Sequence, residues 1–409
     1  MRRTTGGTVL AALMACALAA RPVAAQESTV YGKTAAAASA AKAVNALGWD
    51  LYRLQPADRN VFYSPYSINQ ALGMLYLGAR GETRDQMRTV LHLDGVDAAW
   101  HAANRALAEG LVPKPTEKGT PFALSSANAV FSQRGFQFLP EYLSGVSAAY
   151  AGANVRDLDF AGDTEGSHKL INGWISDQTA KAIPELIPNG VLTALTRLVL
   201  TNAVYFKASW QVPFLKSATE DGDFHLPDGS TARVPMMMQS ERLRYAARDG
   251  WQAAVLPYVG GQVSAVVVLP PAGAEPAKLD AAAVTALVAE AAPRQVRLTW
   301  PKFSAKLSLP LKQNLISLGM DQAFSEDKAD LSGLDGRRDL YVTDALHQAF
   351  VKVDEEGTEA AAATAVIVGL RSMPGMPVAM TVDRPFLFLV RDEASGALLF
   401  MGRIADPRA

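Results

Sequence analysis

The sequence predicts a single α+β domain in which helices and strands are intimately mixed. Three observations carry this reading. Apolar residues recur at helical spacing across much of residues 35–181, short apolar runs bounded by turn residues dominate from Leu198 onward, and no long linker or internal repeat separates the two regions. With 409 residues, 49% of them hydrophobic and 19% charged, the chain can bury a large core, which argues against disorder.

Met1-Arg2-Arg3, the apolar run Val9–Ala20 and the small residues Val23-Ala24-Ala25 have the three regions of a secretory signal peptide. Residues 1–25 are expected to be removed, leaving 26–409 as one soluble domain that is secreted or periplasmic. The run is too short for a membrane span, and no later stretch reaches the about 18 apolar residues that one needs. Without the leader the chain keeps 36 basic and 40 acidic residues, a balance that gives no reason to expect nucleic acid as a partner. The one cysteine, Cys16, lies in the leader, so the exported chain has no thiol to pair. A competing reading makes Leu13-Met14-Ala15-Cys16 a lipoprotein cleavage site with Cys16 as a lipid-bearing N-terminus, although Met14 is atypical there.

In chain order, Ala41, Val44, Leu47 and Leu51 predict a long helix over Ala35–Leu54, ended by Pro56. Asn60–Tyr63 reads as a short strand. Ser64-Pro65 then opens a second helix through Leu77, with Ser64 as cap and Pro65 in the first turn. Further helices are expected at 82–91, 97–110, 140–150 and 167–181, with buried strands at Leu124–Phe131 and Leu198–Phe206. Two strand-like runs around Gly260-Gly261, within Ala253–Leu269, predict a hairpin. Strands at Val296–Phe303, Leu340–Val353, Val378–Val382, Phe386–Val390 and Leu398–Ile404, with helices near 280–292 and 311–318, complete the chain. Met236-Met237-Met238 reads as core filler.

No phosphate-binding glycine loop, dinucleotide turn or His-Glu-x-x-His zinc motif is present. The five histidines, His92, His101, His168, His225 and His347, are scattered without metal-ligand spacing. A faint nucleophile-elbow pattern at Gly145–Ala149 ends a helical stretch instead of joining a strand to a helix. Neither an enzyme nor a metal or cofactor site is expected.

The segment Glu355–Ser372 suits two opposite local structures. Thr358 can cap a helix and Ala360, Ala361, Ala362 and Ala363 favour one, whereas Val366, Ile367 and Val368 favour a pleated surface.

Several separated motifs make the chain resemble the serpin family of serine-protease inhibitors across nearly its whole mature length. Asn60–Ile68 with Leu72–Leu75 and Gly78–Thr83 is similar to the family's strand and buried helix behind the main sheet. Thr201–Trp210 with Pro213-Phe214 is similar to its central strand, and His347 with Val351–Gly357, Asp383–Phe388 and Phe400–Arg403 complete the likeness. The resemblance implies three β-sheets, eight or nine helices and an exposed reactive loop near 357–377. It further implies a monomer that traps a serine protease as a covalent acyl complex. In that scheme Glu355, Glu356, Gly357, Thr358, Glu359, Ala360, Ala361, Ala362, Ala363 and Thr364 form the hinge. Ser64, Ser67, Asn202 and His347 form a hydrogen-bonded shutter beneath the sheet opening, and Trp210 stands at the entrance for insertion. Ser64 also reads as a simple helix cap, and all four shutter groups as satisfied core polar residues.

A loop that enters a sheet must present alternate side chains to the core. Thr358, Ala360, Ala362, Thr364, Val366, Val368 and Leu370 form one alternating set without charge, and no proline occurs before Pro374. Counting from Gly357 as the resemblance directs places the scissile bond at Arg371-Ser372. An arginine there fits a trypsin-like pocket, while Leu370 or Met373 would suit a hydrophobic one if cleavage slipped. The competing functions are a noninhibitory carrier or chaperone of the same family and an inhibitor of cysteine proteases. The helix at 97–110 has no clear basic cluster, so activation by a sulfated polysaccharide is not expected.

Overall fold

A computed structural model describes residues 23–117, 119–150, 152–274, 276, 279–358 and 376–408. The expected leader therefore lies mostly outside the described residues, and helix α1 (Val23–Arg53) starts at its last residues. β1 (Val61–Tyr63) leads into α2 (Pro65–Gly78), in which every side chain except Leu77 is buried. α2 is mostly apolar, buries Ser67, Asn69 and Gln70 with its apolar side chains, and runs behind a sheet, in contact with β2 and β4. Its start is encoded locally: the Ser64 side chain accepts from the Ser67 N–H at 3.0 Å and Pro65 occupies the first turn.

α3 (Gly81–Val90), α4 (Trp100–Gly110), α5 (Pro140–Ala149) and α6 (Thr164–Gln178) follow, interleaved with β2 (Phe122–Gln133) and β3 (Asn154–Leu158). The strand-rich second half runs through β4 (Leu198–Ser209), β5 (Glu220–His225), β6 (Thr231–Arg248), β7 (Trp251–Pro257) and β8 (Val263–Leu269). After α7 (Ala281–Glu290) come β9 (Ala292–Pro301), β10 (Phe303–Pro310), α8 (Leu311–Ser317), α9 (Ser332–Asp335) and β11 (Asp344–Val353). β12 (Gly357–Thr358), β13 (Val378–Thr381), β14 (Phe386–Asp392) and β15 (Leu398–Ile404) end the fold.

One six-stranded sheet has the order β10-β11-β12-β4-β2-β3. The other nine strands form a single hydrogen-bonded network that turns a corner at β6. The first part of β6 pairs with β5 and β9, and its end, Arg244–Arg248, pairs with β7, so β6 links β5, β9 and β13 to β7, β8, β14, β15 and β1. The β7–β8 pair turns around Gly260 and Gly261, both left-handed, as a tight hairpin requires. Between the sheets Phe62 stacks on Phe400 at 5.3 Å and on Phe388 at 6.0 Å, while Trp300 meets Phe303 and Phe386.

Besides β12, four strands had not been legible as such. β3 (NVRDL) and β5 (EDGDFH) are short, polar and at edges, with few strand-favouring residues. β6 alternates exposed and buried positions at its start, but Pro235 and three methionines obscure that period. Met236 and Met237 are buried and Met238 is half exposed. β10 alternates as well but follows β9 after Lys302 alone, and the expected strand Val296–Phe303 stopped at its first residue.

Candidate functional site

The six-stranded sheet holds the feature that organises the site. β11 and β4 run parallel and pair from Asp344 opposite Val199 to Phe350 opposite Tyr205. Beyond that point they part, and β12 lies between them, Thr358 opposite both Val353 and Ala208 and Gly357 opposite Ser209. Gly357 and Thr358, expected to open the exposed loop, are therefore not part of one. Gly357 and Thr358 are buried sheet residues, and Thr358 is 1% exposed. On the return side Met376 is 97% exposed. Glu359–Thr364, Arg371 and Ser372 lie outside the described residues.

Why the chain enters the sheet there follows from its neighbours. Any Cβ on residue 357 would lie 2.1 Å from the Ala208 carbonyl oxygen, so only glycine approaches β4 this closely. The preceding turn is tied from several directions. The Trp210 N–H donates to Glu356 O at 3.0 Å, the Phe214 N–H to Glu355 O at 2.8 Å, and the Trp210 indole N–H to Asp354 O at 2.9 Å. Trp210, buried, stacks on Tyr258 at 4.6 Å, and the Tyr258 hydroxyl meets Thr358 Oγ1 at 2.6 Å. Burial raises the Tyr258 phenol pKa, so it stays a neutral hydrogen-bonding group.

Two of the three hinge glutamates, Glu355 and Glu356, lie among the described residues, and both are engaged. Glu355, buried, receives Lys302 Nζ at 2.9 Å and the Thr219 hydroxyl at 2.8 Å. Burial alone would raise its pKa, but these donors outweigh it and hold the carboxyl below the ordinary value. Glu356 pairs with Lys216 at 2.5 Å near the surface.

Below the wedge, Ser64, Ser67, Asn202 and His347 meet in one buried network. The Ser64 N–H donates to His347 Nε2 at 3.1 Å, so the ring proton sits on Nδ1 and points at Asn202 Oδ1. Asn202 Nδ2 donates to Ser67 O at 2.8 Å and Ser67 Oγ at 2.6 Å, and it also meets Asn128 Oδ1. Ser64 Oγ donates to Leu399 O at 2.5 Å, while Ser67 Oγ meets Ser126 Oγ at 2.8 Å. Burial drives the His347 pKa down to about 3, so the ring is neutral. The network joins α2, β2, β4 and β11, and it includes the two strands, β4 and β11, that would have to separate for another strand to enter between them.

Reading the sequence had missed Tyr258, Lys302, Thr219, Ser126 and Asn128. Asn128 alone carried a signal, as an amide inside the apolar strand Leu124–Phe131 that needs buried partners. Among the described residues no group of histidine, cysteine, aspartate or glutamate side chains could hold a metal ion. No described helix is long and apolar enough to cross a membrane.

A parallel strand pair carrying an inserted hinge, above a buried polar network, is the arrangement of a serpin. The chain belongs to that family: residues 42–407 match the family described as "Serpin (serine protease inhibitor)". It is 38% identical over 372 residues to an uncharacterized serpin-like protein of Thermococcus kodakarensis, covering 90% of this chain and 85% of that one. It is 37% identical over 360 residues to the leukocyte elastase inhibitor of Bos taurus, covering 85% and 93%. Among solved structures it is similar to uncleaved ovalbumin, with a TM-score of 0.79 at 25% identity, covering 90% of this chain and all of that one. The native thermophilic serpin tengpin gives 0.80 at 26% identity, covering 89% and 93%.

Proposed function

We propose that the chain is an exported suicide-substrate inhibitor of trypsin-like serine proteases, with Arg371-Ser372 as the reactive bond. The observation that carries this reading is β12. Thr358, the first member of the charge-free alternating set, already faces the core between β11 and β4. The residues that follow continue the set without charge or proline to Leu370.

The protease serine attacks the Arg371 carbonyl carbon, the Arg371–Ser372 bond breaks, and the new amine of Ser372 leaves with the return side of the loop. An ester then joins the protease to Arg371. The freed segment extends β12 downward between β11 and β4. Thirteen further residues, from Glu359 to Arg371, span roughly 43 Å at about 3.3 Å each. The attached protease is carried that distance before water resolves the ester. Ser64, Ser67, Asn202 and His347 act as the shutter, and Trp210 with Tyr258 as the frame of the entrance. Export rests on the leader-like residues 1–25, and the mass of the mature N-terminus tests both it and lipidation of Cys16.

Mixing the purified protein with trypsin tests the inhibitory reading. A complex that survives denaturing electrophoresis is expected. Cleavage at the loop with no complex and no loss of trypsin activity would overturn the reading in favour of a noninhibitory family member.

A further inference from the structure

Around the loop the charge distribution is uneven. The loop returns to the fold at β13, whose Val378 pairs with Val296 of β9, itself opposite Glu241 of β6. Within two rungs of that point lie Arg297 (opposite Ser240 and Ala379), Arg242 (opposite Gln295) and Arg294 (opposite Leu243). All three arginines are exposed, and none has a carboxylate or hydrogen-bond partner among the described residues. Cross-strand pairing and the period of two put Arg242 and Arg297 on the same outward face as diagonal neighbours. The carboxylates of β5 are displaced along the sheet, Glu220 opposite Met236 and Asp221 opposite Pro235.

The side chain of Arg242 also connects the two ends of the loop. It lines a cavity of about 130 Å³ with Trp210 and Val212, where the hinge enters the sheet, and with Gln239 and Glu241, where the loop returns. It lines a second cavity of about 210 Å³ with Arg244 and Glu393. Glu393 is already paired with Arg244 at 2.8 Å, so it does not neutralise Arg242. Val212 and Leu215 beside the entrance are each 47% exposed.

We propose that Arg242 and Arg297 form a second docking surface for the protease that cuts the loop, one that selects enzymes with an acidic surface beside the substrate cleft; Arg294, opposite Leu243, projects from the other face and is not part of it. The proposal rests on the inhibitory reading. Any protease seated on a loop anchored at β12 and β13 has its flank over this sheet face, and unpaired guanidinium groups there attract carboxylates and repel cations. Rim charges of this kind act mainly on the association rate.

The test compares two trypsins with the same cleft specificity and opposite surface charge, the anionic and cationic forms. Association rates are measured for the wild type and for the double variant Arg242→Glu, Arg297→Glu, at low and at physiological salt. The variant is expected to associate about tenfold more slowly with anionic trypsin and no more slowly with the cationic form, with an unchanged stoichiometry of inhibition. Added salt should narrow the difference between the two trypsins for the wild type. The neutral pair Arg242→Gln, Arg297→Gln should fall between the two, and matching melting temperatures confirm intact folding. Equal slowing toward both trypsins, or a change below twofold toward anionic trypsin, would overturn the docking surface while leaving the inhibitory reading intact. Absence of a covalent complex between the wild type and either trypsin would overturn both.

Discussion

His347 and Asn202 oppose one another on the parallel strands β11 and β4, and the ring N–H of the one points at the side-chain oxygen of the other. The pair lies where the two strands are still joined, below the point at which β12 separates them. His347→Ala leaves the Ser64 N–H and Asn202 Oδ1 without their partners in a dry site. Each orphaned group costs about 1–3 kcal/mol, so a loss of roughly 3 kcal/mol is expected. Thermal or denaturant unfolding measures it, and a loss below about 1 kcal/mol would show that the network is not held by this residue.

The same ring makes a pH prediction. Its pKa falls from 6.5 to about 3 on folding, so between these values the unfolded chain binds a proton that the folded chain does not. The contribution of neutral His347 is complete above pH 6.5 and is lost as the pH falls toward 3. It amounts to at most about 5 kcal/mol. Carboxylates also weaken the fold in acid, so the informative quantity is the difference between wild type and His347→Gln. Stability should fall less steeply from pH 6.5 to 4 in the variant, and parallel curves would refute the assignment.

Glu355 and Lys302 anchor the turn that feeds β12. Breaking the pair through Lys302→Met leaves a buried carboxylate with the Thr219 hydroxyl and its own backbone N–H and should cost about 2–3 kcal/mol. The Glu355 pKa is held down, so the pair stabilises the fold above the ordinary carboxylate range and loses that effect as the pH falls through it. The expected sign of failure is faster proteolysis at the hinge, read by mass spectrometry under native conditions. An unchanged cleavage rate would contradict the anchoring role.

Gly357→Ala places a methyl group against the Ala208 carbonyl and should expel β12 from the sheet. The variant is expected to lose the Tyr258–Thr358 hydrogen bond and to be cut more readily near residue 358. Hydrogen exchange at the top of β4 and β11 tests this, and wild-type protection there would show that the sheet accommodates the extra carbon.

Two substitutions separate recognition from trapping. Arg371→Ala should abolish complex formation with trypsin. Thr358→Arg should leave cleavage intact but turn inhibitor into substrate, because a charge would be driven into the sheet. Complex formation by Arg371→Ala at the wild-type rate would displace the reactive bond from Arg371, and an unchanged stoichiometry for Thr358→Arg would remove the insertion argument.

Much of this architecture was legible because its signals are local or periodic. Ser64-Pro65 announced the start of α2, and the alternation after Thr358 the compatibility of the loop with a strand, whereas the burial of α2 came from the family resemblance alone. The seating of Gly357 and Thr358 was not legible. It depends on the Ala208 carbonyl, the Tyr258 hydroxyl and Lys302, which come from segments with no sequence relation to the hinge. The partners of His347 likewise come from Ser64 and Asn202, more than a hundred residues away in each case. β5 and β6 escaped notice because sheet pairing, and not intrinsic preference, makes strands of EDGDFH and of a run broken by Pro235.

The two residues of β12 also bear on how copies of the protein meet one another. A gap between two strands offers unpaired backbone groups to any extended segment, including the loop of a second molecule. Here the head of that gap is filled by a segment of the same chain, tethered one short turn from β11. Its effective concentration is on the order of millimolar, well above that of neighbouring molecules in dilute solution. A second segment entering at this opening would have to displace Thr358 from Tyr258, so the buried hydroxyl pair is one of the contacts that guard the gap against pairing between molecules.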